Sequence, residues 1–140
     1  MYIFGLNYTI MKILDQSLWK RKEHFDFFSK YDEPYFGIVS EIDCTKAYQL
    51  SKSRNQSFFS NYLHKSICAV NLIEEMRYRI IDDQIVIYDQ IHPAATIGRA
   101  DGTFAFTFTP FNLDFNIFDI YFFAIFRLIS VKESQLTTNL

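Results

Sequence analysis

A chain of 140 residues that is 49% hydrophobic and 19% aromatic has the size of one ordinary domain and enough apolar surface for one core. Fourteen Lys and Arg against sixteen Asp and Glu leave a net charge of -2, so no summed positive field is available to hold a nucleic-acid backbone. Two cysteines, Cys44 and Cys68, fit neither a metal-ligand spacing nor CxxC, and read as reduced core thiols of a cytoplasmic protein.

Residues 1–10 have no basic n-region and no small-residue cleavage pattern, so no secretory signal is expected. They read as an extension, disordered or lying ahead of a true start at Met11. Asp15 or Ser17 can cap a helix over residues 18–29, which the turn formers Asp32-Glu33-Pro34 end. Residues 35–42 carry β-formers in partial alternation and predict a strand, after which Asp43 caps a helix over residues 45–51. Residues 51–56 are a polar loop. From residue 57 to 76, Phe59, Leu63, Ile67, Val70 and Ile73 recur at three and four, the period of an amphipathic helix with those side chains inward.

Residues 78–81 and 84–88 read as a β-hairpin about Asp82-Asp83. The segment from His92-Pro93 to Asp101-Gly102 is a connection with one short strand over Thr96 and Ile97. Residues 103–109 form a strand in which Phe104, Phe106 and Phe108 share one sheet face, which must then be covered. Residues 112–140 predict a helix apolar nearly all round. Only seven uncharged residues separate Asp119 from Arg127, whereas a membrane span needs roughly 20 apolar residues in a row, so a buried helix is expected. The order of elements predicts an α+β fold, a sheet with helices packed on one face.

The chemistry-bearing residues are sparse. His64 falls opposite the apolar stripe and reads as exposed, His92 before Pro93 as a turn residue, and His24 as packing beside Phe25. No dinucleotide, P-loop, zinc-protease or nucleophile-elbow motif occurs. Glu74-Glu75 and Asp82-Asp83 suit a helix end and a turn. Lys20-Arg21-Lys22, and Lys52 with Arg54, suit solvated surfaces. No metal site is expected, and no catalytic residue follows from these residues alone.

Several blocks together are more specific: Trp19-Lys20-Arg21-Lys22-Glu23-His24-Phe25-Asp26-Phe27-Phe28, Pro34-Tyr35-Phe36-Gly37, Ile42-Asp43-Cys44-Thr45, Ser57-Phe58-Phe59, Ala69-Val70-Asn71, Glu75-Met76-Arg77-Tyr78-Arg79-Ile80, Tyr88-Asp89, His92-Pro93 and Asp101-Gly102-Thr103-Phe104. In their order and spacing, over residues 11–110, the chain resembles the chloramphenicol acetyltransferase family. Val131-Lys132-Glu133-Ser134 is the last recognisable block.

The resemblance implies a two-layer α/β sandwich with a mixed sheet and helices on one face. It also implies a cytoplasmic homotrimer with active sites between subunits, and acetyl-CoA as cosubstrate for acetylation of a chloramphenicol hydroxyl, which confers antibiotic resistance. A histidine in His-His-x-x-x-Asp-Gly is the family's general base and a serine stabilises the oxyanion. The word His-His does not occur in these 140 residues. Residues 11–140 are therefore read as the N-terminal part of a single acetyltransferase domain, incomplete at its C-terminus and inactive alone. The alternatives are a non-catalytic remnant and a divergent CoA-dependent acyltransferase with another acceptor.

The resemblance places Phe28, Phe104 and Phe106 on the wall of the chloramphenicol pocket, Phe106 standing where some members have a small residue. Arg21 matches an arginine that pairs with the aspartate of the catalytic motif, a structural role. Without that partner Arg21 is expected to turn outward or to destabilise its surroundings. Ser57 stands where some members place a lysine near the CoA phosphate, with Arg54 as a substitute. No nucleic-acid or membrane partner is expected.

Overall fold

The computed structural model describes residues 11–99 and 101–136, with side chains to residue 127. The expected extension over residues 1–10 and the last four residues of the expected final helix lie outside the described residues. Strands β1 (Met11–Ile13), β2 (Tyr78–Ile81) and β3 (Gln84–Tyr88) form an antiparallel sheet in the order β1-β3-β2. The predicted hairpin is present residue for residue. Asp82 and Asp83 hold φ of 49° and 59°, the paired left-handed conformation that a two-residue type I′ turn requires and that Asp tolerates better than most residues. Ile85, Val86 and Ile87 are all buried, and because successive side chains point to opposite faces, both faces of β3 are covered.

Strands β4 (Ala94–Gly98) and β5 (Phe104–Phe108) pair antiparallel as a second sheet, with Ala94 opposite Phe108 and Gly98 opposite Phe104. The turn between them closes on Gly102, whose φ of 85° suits glycine, and on Asp101, whose Oδ1 accepts the Thr103 N–H at 2.9 Å. The short strand expected over Thr96 and Ile97 thus runs to five residues. The expectation that the Phe face is covered fails: Phe104, Phe106 and Phe108 are exposed, while Thr107 and Thr109 are buried. Thr107 Oγ1 donates to the Ala95 carbonyl and accepts the Ala95 N–H, so its polar atoms are satisfied across the hairpin and its face can turn inward.

Helix α1 (Lys22–Phe28) begins later than expected, because Asp15 spends its carboxylate on Ser17 N–H and Oγ in the turn ahead of it. Helix α2 (Thr45–Ser53) has Cys44 at its N-cap with no side-chain bond there; the expected cap, Asp43, stands one residue earlier and its Oδ1 accepts the Thr45 N–H at 2.9 Å in an Asx turn. Helix α3 (Phe58–Leu72) is capped by Ser57 Oγ on the Ser60 N–H. It stops at Leu72, short of residue 76, because Ile73 is extended, and a 3-10 turn over Glu74–Arg77 leads into β2. Helix α4 (Phe115–Leu136) begins on Asp114, whose Oδ1 accepts the Asn116 and Ile117 N–H groups.

The side of α3 that faces the core coincides with the predicted stripe only in part, with Ile67 buried and Leu63 and Val70 half-buried. Ser60, His64 and Ile67 are buried, whereas Phe59 is exposed. The partner helix decides this. Helix α4 sets Phe115 and Phe118 against His64 and Phe122 against Phe59, and its Asp119 accepts the hydroxyl of Ser60. The polar groups on the buried side are thereby hydrogen-bonded, which removes most of the penalty of burying them. His64, expected to be exposed, is 3% exposed.

The strand expected over residues 35–42 is absent. The backbone makes no ladder with any described strand, and Tyr35, Phe36, Ile38 and Val39 are exposed, Val39 at 98%. A strand is defined by its pairing, and β-forming residues without a partner edge form none. Cys44 is exposed and Cys68 half-buried, so the core-thiol reading fails for Cys44. No helix among the described residues is long and apolar enough to cross a membrane. The core consists of Ile67, the three β3 residues, Phe118 and Phe122.

Candidate functional site

Phe104 and Phe106 lie edge to face on β5 with centroids 5.3 Å apart, and both rings open to solvent, Phe106 at 77%. Phe28 ends α1, and its ring partners are Phe27 at 5.2 Å and Tyr31 at 5.9 Å. The structure therefore brings two of the three expected pocket rings together and sets the third in a separate aromatic cluster. Flat exposed rings of this kind can stack on an aromatic ligand and bury it. A cleft of about 550 Å³ is lined by Cys44, Thr45, Tyr48, Gln49 and Phe58, and none of the three phenylalanines lines it.

Arg21 is turned outward, its guanidinium 3.9 Å from Glu75 of the 3-10 turn. Beside it Glu74 accepts the Tyr78 hydroxyl at 3.0 Å and pairs with Lys12, and these two contacts, the hydroxyl first, lower the Glu74 carboxyl. Burial, then Glu74, raises the Tyr78 phenol. These exposed contacts tie the start of α1 and β1 to the 3-10 turn. On the side where the resemblance expects CoA, Ser57 Oγ is taken up by the α3 cap and the Lys52 ammonium lies 5.3 Å from the Tyr48 ring centroid. The described residues do not by themselves form a phosphate cradle.

A general base must sit against the group it deprotonates. His64 lies 3.8 and 3.9 Å from the Cys68 sulfur through Nε2 and Nδ1 alike, so the thiol is at neither lone pair. Its Nε2 is instead 3.0 Å from the Asn112 carbonyl. Nδ1 of His92 accepts the Phe111 N–H at 2.8 Å, and burial lowers that imidazole below its ordinary value. His24 is exposed on α1. No group of three or more His, Cys, Asp or Glu among the described residues could hold a metal ion.

Two positioning residues were not visible in the sequence. Asn71 of α3 donates to the Ile67 and Ile91 carbonyls and accepts the Ile91 N–H. Arg77 donates through Nη1 to the Tyr88 and Asp89 carbonyls, with its Nε buried and unpartnered. A polar stripe at positions 60, 64 and 71, one helical face apart, is the signal that would have marked α3 as packed on that side.

The described elements form an α+β domain that leaves the Phe104 and Phe106 rings open to solvent on β5. The family model for chloramphenicol acetyltransferase matches residues 6–134, and this chain belongs to that family. It is 28% identical over 124 residues to chloramphenicol acetyltransferase 3 of Escherichia coli, covering 86% of this chain and 55% of the relative. It is 27% identical over 106 residues to a chloramphenicol acetyltransferase of Klebsiella sp, covering 75% of this chain and 48% of the relative. A solved chloramphenicol acetyltransferase superimposes with a TM-score of 0.78 at 38% identity, covering 84% of this chain and 56% of that one. The chain thus spans about half the length of the curated relatives it matches.

Proposed function

We propose that this chain supplies the acceptor side of a chloramphenicol O-acetyltransferase, a cytoplasmic homotrimer that moves an acetyl group from acetyl-CoA to a chloramphenicol hydroxyl. Phe104 and Phe106 are its pocket wall, and the family resemblance adds Phe28 of α1, whose ring packs apart from them on Phe27 and Tyr31. The observation that carries this reading is the Phe104 and Phe106 pair, exposed on β5 in a chain of this family. Arg21 is a structural residue, held by Glu75 here and available to the catalytic aspartate of the family motif. The proton of the acceptor hydroxyl must go to a base, and His24, His64 and His92 do not stand against an acceptor surface. The family's general base lies in a His-His-x-x-x-Asp-Gly motif, which these 140 residues do not contain, and on that reading the 140-residue chain alone is inactive.

The test is thiol release from acetyl-CoA in the presence of chloramphenicol. The purified chain is expected to give no turnover, and a chimera carrying the C-terminal half of the E. coli relative is expected to give it. In that chimera Phe104→Ala with Phe106→Ala raises KM for chloramphenicol about tenfold or more, from lost ring burial, and leaves KM for acetyl-CoA unchanged. Turnover by the chain alone would refute the assignment of the base. An unchanged chloramphenicol KM would remove the two rings from the pocket.

A further inference from the structure

The connection from β5 to α4 is held at two adjacent residues by two imidazoles from different elements. His92, just ahead of β4, accepts the Phe111 N–H through Nδ1 at 2.8 Å. His64, on α3, meets the Asn112 carbonyl through Nε2 at 3.0 Å. A backbone N–H only donates, so Nδ1 of His92 is bare and its ring hydrogen is on Nε2. A carbonyl only accepts, so Nε2 of His64 carries a hydrogen. Acid acts on the first of these bonds. A proton added to His92 lands on the nitrogen that receives the Phe111 N–H, setting donor against donor.

We propose that His92 is an acid-sensitive latch on the β5–α4 connection, beside the His64 tie to Asn112, so that mild acid frees the Phe111 N–H and loosens the end of β5. The groups around each ring fit these roles. Phe108 of β5 meets His92 edge-on at 5.2 Å, and burial alone accounts for the lowering of this imidazole. Around His64 stand the rings of Phe111, Phe115 and Phe118 and the Cys68 thiol. The Asp119 carboxylate of α4 is taken up by Ser60, one turn back on α3. Folding favours neutral His92. Its stabilisation is therefore complete above the ordinary histidine value of 6.5 and is lost as pH falls through the lower folded value. Thr109, next to the latch, donates its N–H to the Pro93 carbonyl at 3.1 Å, so release also reaches the end of β5.

Hydrogen exchange of the full chain tests this, read as protection of the Phe111 amide from pH 8 to pH 5. Protection is expected to fall by about tenfold or more with acid, the consequence of leaving a part-buried N–H without an acceptor. His92→Gln keeps an acceptor that does not titrate, and its protection should stay level over the same range. Acid loss of equal size in His92→Gln and the unaltered chain would overturn the proposal, as would level protection in the unaltered chain. Should His92→Gln misfold, histidine-labelled NMR of the unaltered chain decides. The His92 Nδ1 and Phe111 amide signals must move together at one midpoint, and separate midpoints would refute the latch.

Discussion

Asn71 turns both ends of its amide onto one residue, donating to the Ile91 carbonyl at 2.9 Å and accepting the Ile91 N–H at 2.7 Å. It stands in for a missing strand partner and fastens α3 to the chain between β3 and β4. Removing it strands two backbone groups that are partly withdrawn from water, and each unmet group carries a desolvation penalty. Asn71→Ala is expected to lower stability by about 1–3 kcal/mol in urea titration. A loss below about 0.5 kcal/mol, the range of ordinary surface changes, would show that water replaces the amide without penalty. The exposed pairs Lys12 with Glu74, Arg21 with Glu75, and Lys22 with Asp26 are in a different class, since solvent screens them.

At the scale of elements, the α3–α4 contact and the β4–β5 hairpin treat their aromatic residues in opposite ways. Phe118 is 0% exposed, packed against His64 in the contact between the two helices. Phe106 stands out from the hairpin. Phe118→Ala is expected to cost about 3–5 kcal/mol through lost transfer energy and the cavity left behind. Phe106→Ala should stay within about 0.5 kcal/mol. Thermal unfolding of the two variants checks the contrast. Equal losses would mean that the Phe face of β5 is covered in solution, contrary to the structure.

For the whole molecule the notable quantity is uncovered apolar surface. Residues 35–42 join no ladder among the described strands, the three β5 phenylalanines face outward, and Ile120 and Phe123 of α4 are exposed as well. Contiguous apolar patches beyond a few hundred Å² on a lone chain mark contact sites or aggregation hazards, and an unpaired β-forming segment adds to the hazard. The purified 140-residue chain is therefore expected to elute well above monomer size at micromolar concentration and to bind a hydrophobic dye. A monodisperse monomer that leaves the dye dark would contradict the exposure of these surfaces.

The features legible in the sequence are those set within a few residues of chain. The Asp82-Asp83 turn needs two residues that tolerate positive φ, Asp43 and Ser57 need only reach an N–H two or three residues on, and alternation marks β5 as a strand. The ordered blocks from Trp19 to Phe104 carried the family for the same reason, since order and spacing are properties of the chain itself. What the tertiary structure decided is which face turns inward. Periodicity shows that α3 and β5 each have two unlike faces but not which one meets a partner. The α3 side bearing Ser60 and His64 is inside because α4 brings Asp119, and the Asn112 carbonyl ahead of it, to satisfy them. The Thr107 face of β5 is inside because Ala95 satisfies its hydroxyl. Residues 35–42 have strand composition but no ladder for the same physical reason: pairing, like burial, is a property of two elements, and one element's sequence records only its own half.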